Sequence, residues 1–152
     1  MSDAFDLSNV ALTSALATAA SSALLPVLGV AQTGHAAAPF NATSHIVWGD
    51  AATRIDAADL AHTVVGAVLN AGAMTSWAVV QELLFGTRVK GSVGKALVAG
   101  AATAAIAYVT DYHVVPERFT PGFEKRLSKG TLALVYVTLA ASLAVGIHHR
   151  DR

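Results

Sequence analysis

Histidine and carboxylate side chains, which can transfer protons or bind metals, are concentrated in two stretches of this sequence. Four of the six histidines and six of the ten carboxylates lie in residues 34–62 and 111–126. Imidazole and carboxylate groups together form sites for zinc, manganese or iron. The candidate ligands of a divalent metal site are His35, His45, His62, His113, Asp50 and Asp111.

The spacing of these candidate ligands does not by itself identify a site. No two histidines are separated by the three residues that place two ligands on one face of a helix. We therefore expect solvated or structural side chains and no cofactor, with a divalent metal site as one alternative and a haem between His62 and His113 as another. The absence of cysteine excludes thiolate nucleophiles and iron–sulfur clusters.

Polar and small side chains recur along one face of a helix predicted at residues 60–84. A spacing of three or four residues places the following side chains on that face: His62, Gly66, Asn70, Ala73, Trp77 and Gln81. Polar groups inside a membrane should point into the protein, so the sequence predicts a bundle-facing stripe whose amides join neighbouring helices. The alternative is that this stripe lines a path for a solute.

Asp111 follows a further apolar segment, and prolines interrupt the chain soon after it. Because half-buried carboxylates usually find partners, we expect Asp111 to pair with Arg118 or with a basic residue before the next apolar segment. The sequence contains no GxSxG, Walker or GxGxxG motif. The balance of these observations is against an enzyme.

The composition indicates what kind of structure must position these residues. Hydrophobic residues make up 54% of the 152-residue chain and charged residues 13%, against about 25% charged in an ordinary soluble domain. A lipid bilayer would cover the apolar surface that this composition leaves, so we expect an integral membrane protein. The formal net charge is zero, which makes nucleic acid an unsuitable partner.

Four apolar segments are long enough to cross a hydrocarbon core of about 30 Å as helices. They are residues 9–31, 60–84, 92–115 and 131–147, of which the third is weakest because its charge-free part is only residues 96–109. Backbone groups in lipid must bond internally. The sequence therefore predicts an all-α fold, an integral membrane four-helix bundle that forms a single domain over residues 1–152.

Small residues recur every fourth position on two of these predicted helices. The two sets are Ser14, Thr18 and Ser22, and Ala96, Gly100 and Ala104. Such stripes allow helix backbones to approach closely within a membrane, although a general bias towards alanine would also produce them.

The orientation cannot be read from the positive charges. Five basic residues lie on each side, Arg88, Lys90, Lys95, Arg150 and Arg152 on one and Arg54, Arg118, Lys125, Arg126 and Lys129 on the other. We expect a multi-pass protein of the cell inner membrane with both termini in the cytoplasm. The first span should be retained, because residues 1–6 lack the basic residues of a signal peptide.

Three parts of the chain resemble a known kind of protein. They are PFNATSHIVWGDAA at 39–52, HTVVG at 62–66 with SWAVVQELLFG at 76–86, and AYVTDYHVVPERFTPGFEKRLS at 107–128. There the chain resembles small bacterial inner-membrane proteins of four predicted spans without an assigned function. The resemblance implies the topology but no activity or cofactor. This chain departs from the family pattern near Asn70, where the family has a pair of histidines.

These observations together predict a small accessory or structural subunit that contacts other membrane proteins or further copies of itself within the lipid bilayer. A small oligomeric transporter or channel is the first alternative, with Asn70 and Gln81 lining the path. A metal-binding membrane protein is the second, and it would use the His and Asp side chains described above.

Overall fold

Helices account for most of the structure, a computed structural model that describes residues 5–89 and 91–150, and no strand occurs in these two ranges. The six α-helices are α1 (Leu7–Thr33), α2 (Ala38–Thr43), α3 (His45–Trp48), α4 (Val65–Val89), α5 (Val93–Val109) and α6 (Lys129–His148). The predicted all-α fold is confirmed. Lys90 and Arg152, counted above for the orientation, and residues 1–4 lie outside the described ranges.

Two wider turns lengthen the central helices. A π-helical turn, Leu60–Val64, leads into α4, and a second, Thr110–Val114, continues α5. With these turns, four helices are long and apolar enough to cross a membrane: Leu7–Thr33, Leu60–Val89, Val93–Val114 and Lys129–His148. The third of these helices is 22 residues long, more than its charge-free part. It is longer because the helical backbone continues past Val109 and includes Asp111.

Polar caps determine where the long helices begin. The Asp6 carboxylate accepts hydrogen bonds from two backbone N–H groups at the start of α1, and hydroxyls of Ser92 and Ser128 cap α5 and α6 in the same way. Asp59 accepts the N–H of His62 ahead of α4. This bond lowers the pKa of the Asp59 carboxyl. The caps satisfy N–H groups that have no partner inside the helix.

Small residues bring the long helices together. α6 packs closely against both α5 and α1, and α1 also packs against α4. A Cβ atom at Gly100 would collide with the Ala140 carbonyl on α6. Ala96 and Ala104 are buried beside it, as the stripe on α5 predicts.

Between Val10 and Leu25 the buried small residues of α1 are Thr13, Ala17 and Ser21. Each precedes by one position a residue of the predicted stripe, Ser14, Thr18 and Ser22, and these three are half-buried. The stripe therefore lies beside the face that α1 presents to the bundle.

The connection between α1 and α4 is folded rather than extended over the surface. All six residues of α2 are buried, and Pro39 occupies its first turn, where its lack of an N–H does no harm. Phe40 belongs to a core cluster with Leu25 of α1 and Phe123. Helices this short carry no periodic sequence signal, and burial of Phe40 stabilises α2 instead.

Candidate functional site

The two long connections, residues 34–59 and 115–128, pack against each other around one histidine. His45 is completely buried. Its Nδ1 lies 2.8 Å from the Ala42 carbonyl oxygen and its Nε2 lies 3.3 Å from that of Glu117. Arg118 also donates to the Val47 carbonyl, at 3.1 Å. The connections therefore form one layer over this end of the bundle, which we call the loop face.

Ion pairs strengthen the loop face. The Lys125 ammonium lies 3.0 Å from Asp50 and 3.3 Å from Glu117, and Arg126 pairs with Asp56. Lys125 holds the pKa of the Asp50 carboxyl below its usual range. In return, the hydrogen bond to Asp50 raises the pKa of Lys125. Both groups stay charged around neutral pH, and the connection is held by charge as well as by packing.

Gly122 permits this close packing. Its backbone has a φ of 82°, a conformation that residues with a Cβ rarely adopt. A Cβ here would also lie 2.6 Å from the Ala42 carbonyl oxygen and 2.9 Å from His45 Nδ1. The contact between the two connections therefore requires glycine at this position.

The candidate metal ligands have separate partners. His35 faces Asp56 at 3.7 Å, His62 faces Asp59 at 2.8 Å, Asp50 pairs with Lys125, His45 bonds to backbone carbonyls, His113 packs against Tyr108, and Asp111 bonds to Tyr136. Throughout residues 5–89 and 91–150, no three His, Cys, Asp or Glu side chains are grouped to hold a metal ion. The metal site stays a prediction without a geometric basis in this part of the chain.

The polar stripe on α4 is turned inward in its middle and at its far end. Asn70 is 2% exposed and Gln81 1%. Trp77 is half-buried and Ala73 is exposed. His62 lies in the π-helical turn ahead of α4 and is half-buried.

The two buried amides on α4 join it to neighbouring helices. Asn70 Nδ2 donates to the Ser21 hydroxyl of α1 at 2.9 Å. Gln81 Nε2 donates to the Leu143 carbonyl of α6 at 2.7 Å. α4 is therefore connected to both of these neighbours through polar side chains.

A third buried polar group on α4, Glu82, was not among the predicted site residues. Its side chain is 1% exposed and lies 2.8 Å from Arg150 Nε. It also accepts a hydrogen bond from Asn9 Nδ2 at 2.8 Å and one from the Asp6 N–H at 3.1 Å. Glu82 is the one carboxylate inside the predicted second span, a position that could have marked it as important.

An interior cavity of about 90 Å³ lies beneath the loop face, and its polar lining comes from Ser21, Thr43, Asn70, Asp111 and Tyr136. The Tyr136 hydroxyl donates to Asp111 at 2.7 Å. The predicted pairing of Asp111 with Arg118 is wrong, because Tyr136 lies beside the end of α5 while Arg118 reaches the Val47 carbonyl. A space of this size holds several water molecules or a very small ligand.

Three tyrosines line a second and larger opening next to this cavity. The rings of Tyr108, Tyr112 and Tyr136 are in mutual contact, with centroids 5.2 to 6.0 Å apart. Together with Glu124 and Lys129 they line a groove of about 560 Å³ between the end of α5 and the start of α6. We call this opening the tyrosine groove.

The chain matches no family model, no curated protein and no solved structure. The role of the loop face, the cavity and the groove therefore has to be argued from their geometry.

Proposed function

We propose that this chain is a multi-pass protein of a bacterial inner membrane and that it acts as an accessory or structural subunit, in keeping with the kind of protein it resembles. Each of the four long helices exposes large apolar side chains, among them Val27, Val68, Leu83, Val98 and Val137. Lipid tails or the apolar surface of another membrane protein would cover them. Nothing in the charge balance favours nucleic acid as a partner.

The observation that carries this proposal is the use of the buried polar groups on α4. Asn70, Gln81 and Glu82 each bond to another helix, so α4 is fixed at two levels along its length. Polar groups that serve a transport path would instead face water. These contacts favour a rigid scaffold and weigh against a path along the stripe, because Gln81 is engaged by Leu143.

Native mass spectrometry of the untagged protein, extracted in a mild detergent, tests the proposal. We expect either a homo-oligomer or a complex with another membrane protein, because an accessory subunit needs a stable contact. The membrane fraction should also retain the protein through an alkaline carbonate wash. A bare monomer in every detergent would contradict the subunit role, and release by carbonate would contradict the membrane assignment.

A further inference from the structure

We propose that the tyrosine groove binds the headgroup of a phospholipid with a primary ammonium group, as in an ethanolamine phospholipid. The inference rests on the proposed function in one respect, since it requires the four long helices to lie in a bilayer. It goes further by assigning a ligand and the groups that recognise it.

The position of the groove matches the depth of lipid headgroups. Tyr108 and Tyr112 lie in the last turns of the α5 span, whereas Lys129 is the first residue of α6. The end of the α5 span and the start of α6 both belong to helices long enough to cross a membrane. Aromatic side chains are enriched at this depth, where one end of the ring is apolar and the other is wet. The volume of about 560 Å³ is within the usual range for ligand sites.

The acidic side of the groove lacks a basic partner. Glu124 Oε1 accepts a hydrogen bond from the Thr120 hydroxyl at 2.8 Å. The neighbouring Glu124 Oε2 and Tyr112 hydroxyl are buried, and neither has a hydrogen bond of good geometry to any of the described residues. Across residues 5–89 and 91–150, neither Glu124 nor Asp111 forms an ion pair. A cation in the groove would supply the missing charge.

The opposite charge lies at the other side of the groove. Lys129 lines it, is exposed, and forms no ion pair within the part of the chain that is described. A zwitterionic headgroup complements this arrangement, with its ammonium towards Glu124 and its phosphate towards Lys129. Lysine binds phosphate as a point charge, so this contact would not distinguish one headgroup from another.

The unpartnered carboxylate oxygen favours ethanolamine over choline. A primary ammonium group has three N–H donors, and it would satisfy Glu124 Oε2 after a small rotation of the side chain. A choline headgroup has no N–H to donate, although its charge would still be attracted by the tyrosine rings. The hydrogen-bonding groups therefore decide between two headgroups of the same net charge.

An apolar track continues from the groove along α6. Ala133 lines the groove and is exposed. Val137 follows four residues later on the same face and is also exposed. An acyl chain that leaves the headgroup would run along these side chains towards the middle of the bilayer.

The test is lipid titration of delipidated protein, followed by native mass spectrometry. The probes are three phospholipids with identical acyl chains, whose headgroups are ethanolamine, choline and glycerol. For the unmodified protein we expect binding to the ethanolamine lipid to be about tenfold tighter than to the other two, which is the size of effect that one charge-assisted hydrogen bond gives. Glu124→Gln should remove this preference. Lys129→Gln should weaken the binding of the ethanolamine lipid and of the choline lipid to the same extent.

Two variants serve as matched controls, Glu117→Gln and Lys95→Gln, because they alter exposed charges outside the groove. Both should keep the preference. Circular dichroism and size-exclusion chromatography identify any variant that has lost the fold, and the Lys129→Gln result then tests the site independently of Glu124→Gln.

Equal affinity for the three lipids, or an unchanged preference in Glu124→Gln, would overturn the proposal. Such a result in protein that resists carbonate extraction would leave the membrane assignment intact. Release by carbonate would instead show that the proposed function itself has failed.

Discussion

Glu82 is a buried carboxylate whose charge is balanced by Arg150, and its other hydrogen bonds reach the start of α1. Replacing a complete buried ion pair with apolar residues is often neutral, but removing one partner leaves the other charge without compensation. The pair therefore contributes most to specificity, since it fixes which ends of α1, α4 and α6 meet. The effect of a single substitution should be large for the same reason.

Glu82→Gln preserves the shape of the side chain and removes its charge. We expect the free energy of unfolding in detergent to fall by about 3 kcal/mol, because the Arg150 guanidinium loses its buried carboxylate. Denaturation by a harsh detergent, followed by circular dichroism, measures the change. Glu117→Gln is the control, since Glu117 is 81% exposed and should change stability by less than about 0.5 kcal/mol. Equal effects of the two substitutions would contradict this account.

Individual site residues were only partly predictable from the sequence. Asn70 and Gln81 were found because helical spacing depends on positions close together in the chain. The bond from Tyr136 to Asp111 spans 25 residues and the one from Arg150 to Glu82 spans 68. Local pattern carries no information on which distant side chain will be the partner. Basic residues were therefore favoured for Asp111, whereas a tyrosine hydroxyl takes that place.

At the scale of elements, the contact between α2 and α4 depends on one glycine. A Cβ at Gly66 would overlap the Phe40 carbonyl, whereas a Cβ at Gly72 on the same helix would meet nothing within 4 Å. Gly66 and Gly72 both lie in α4, and they differ in whether another part of the chain packs against them. They provide an internal comparison between packing and helix propensity.

Gly66→Ala should destabilise the protein by about 1–3 kcal/mol, because α2 must move away from α4. Gly72→Ala should leave stability unchanged or raise it by up to about 1 kcal/mol, since alanine has a higher helix propensity than glycine. Thermal unfolding followed by size-exclusion chromatography measures both. If Gly66→Ala were as stable as Gly72→Ala, the close approach of α2 to α4 would be wrong.

The long elements were more predictable than the short ones. Each long helix covers a segment with few charges, and length alone distinguishes such a segment from a strand in lipid. α2 and α3 lie between the first two predicted spans and were not predicted as helices, because six and four residues are too few for a helical period to appear. Burial against α1 and α4 stabilises α2 as a helix, and that burial depends on the tertiary structure.

The whole molecule has two different ends. The loop face holds the cavity and the tyrosine groove, while the opposite end holds the Glu82 ion pair and the short turn between α4 and α5. With four spans and both termini in the cytoplasm, the loop face would be periplasmic. The opposite end, which includes Lys95, would be cytoplasmic.

Labelling of single cysteines tests this arrangement, since the natural chain contains none. In intact spheroplasts a membrane-impermeant maleimide should modify Glu117→Cys and leave Lys95→Cys unmodified until detergent is added. Both positions are exposed, so access to them depends only on the membrane. Labelling of both variants before detergent would contradict the four-span topology, and the reverse pattern would contradict the orientation.

The ion pair between Glu82 and Arg150 also orders events during synthesis. Arg150 follows Glu82 by 68 residues, so a ribosome adding about 5–20 residues per second reaches it roughly 3 to 14 s later. During that interval the Glu82 carboxylate on α4 lacks its cation, and its hydrogen bonds to Asn9 and to the Asp6 N–H are the polar contacts that can already form. An insertion machinery that shields polar groups would hold α4 until then. A nascent chain released before Arg150 would present a helix whose buried carboxylate has no basic partner.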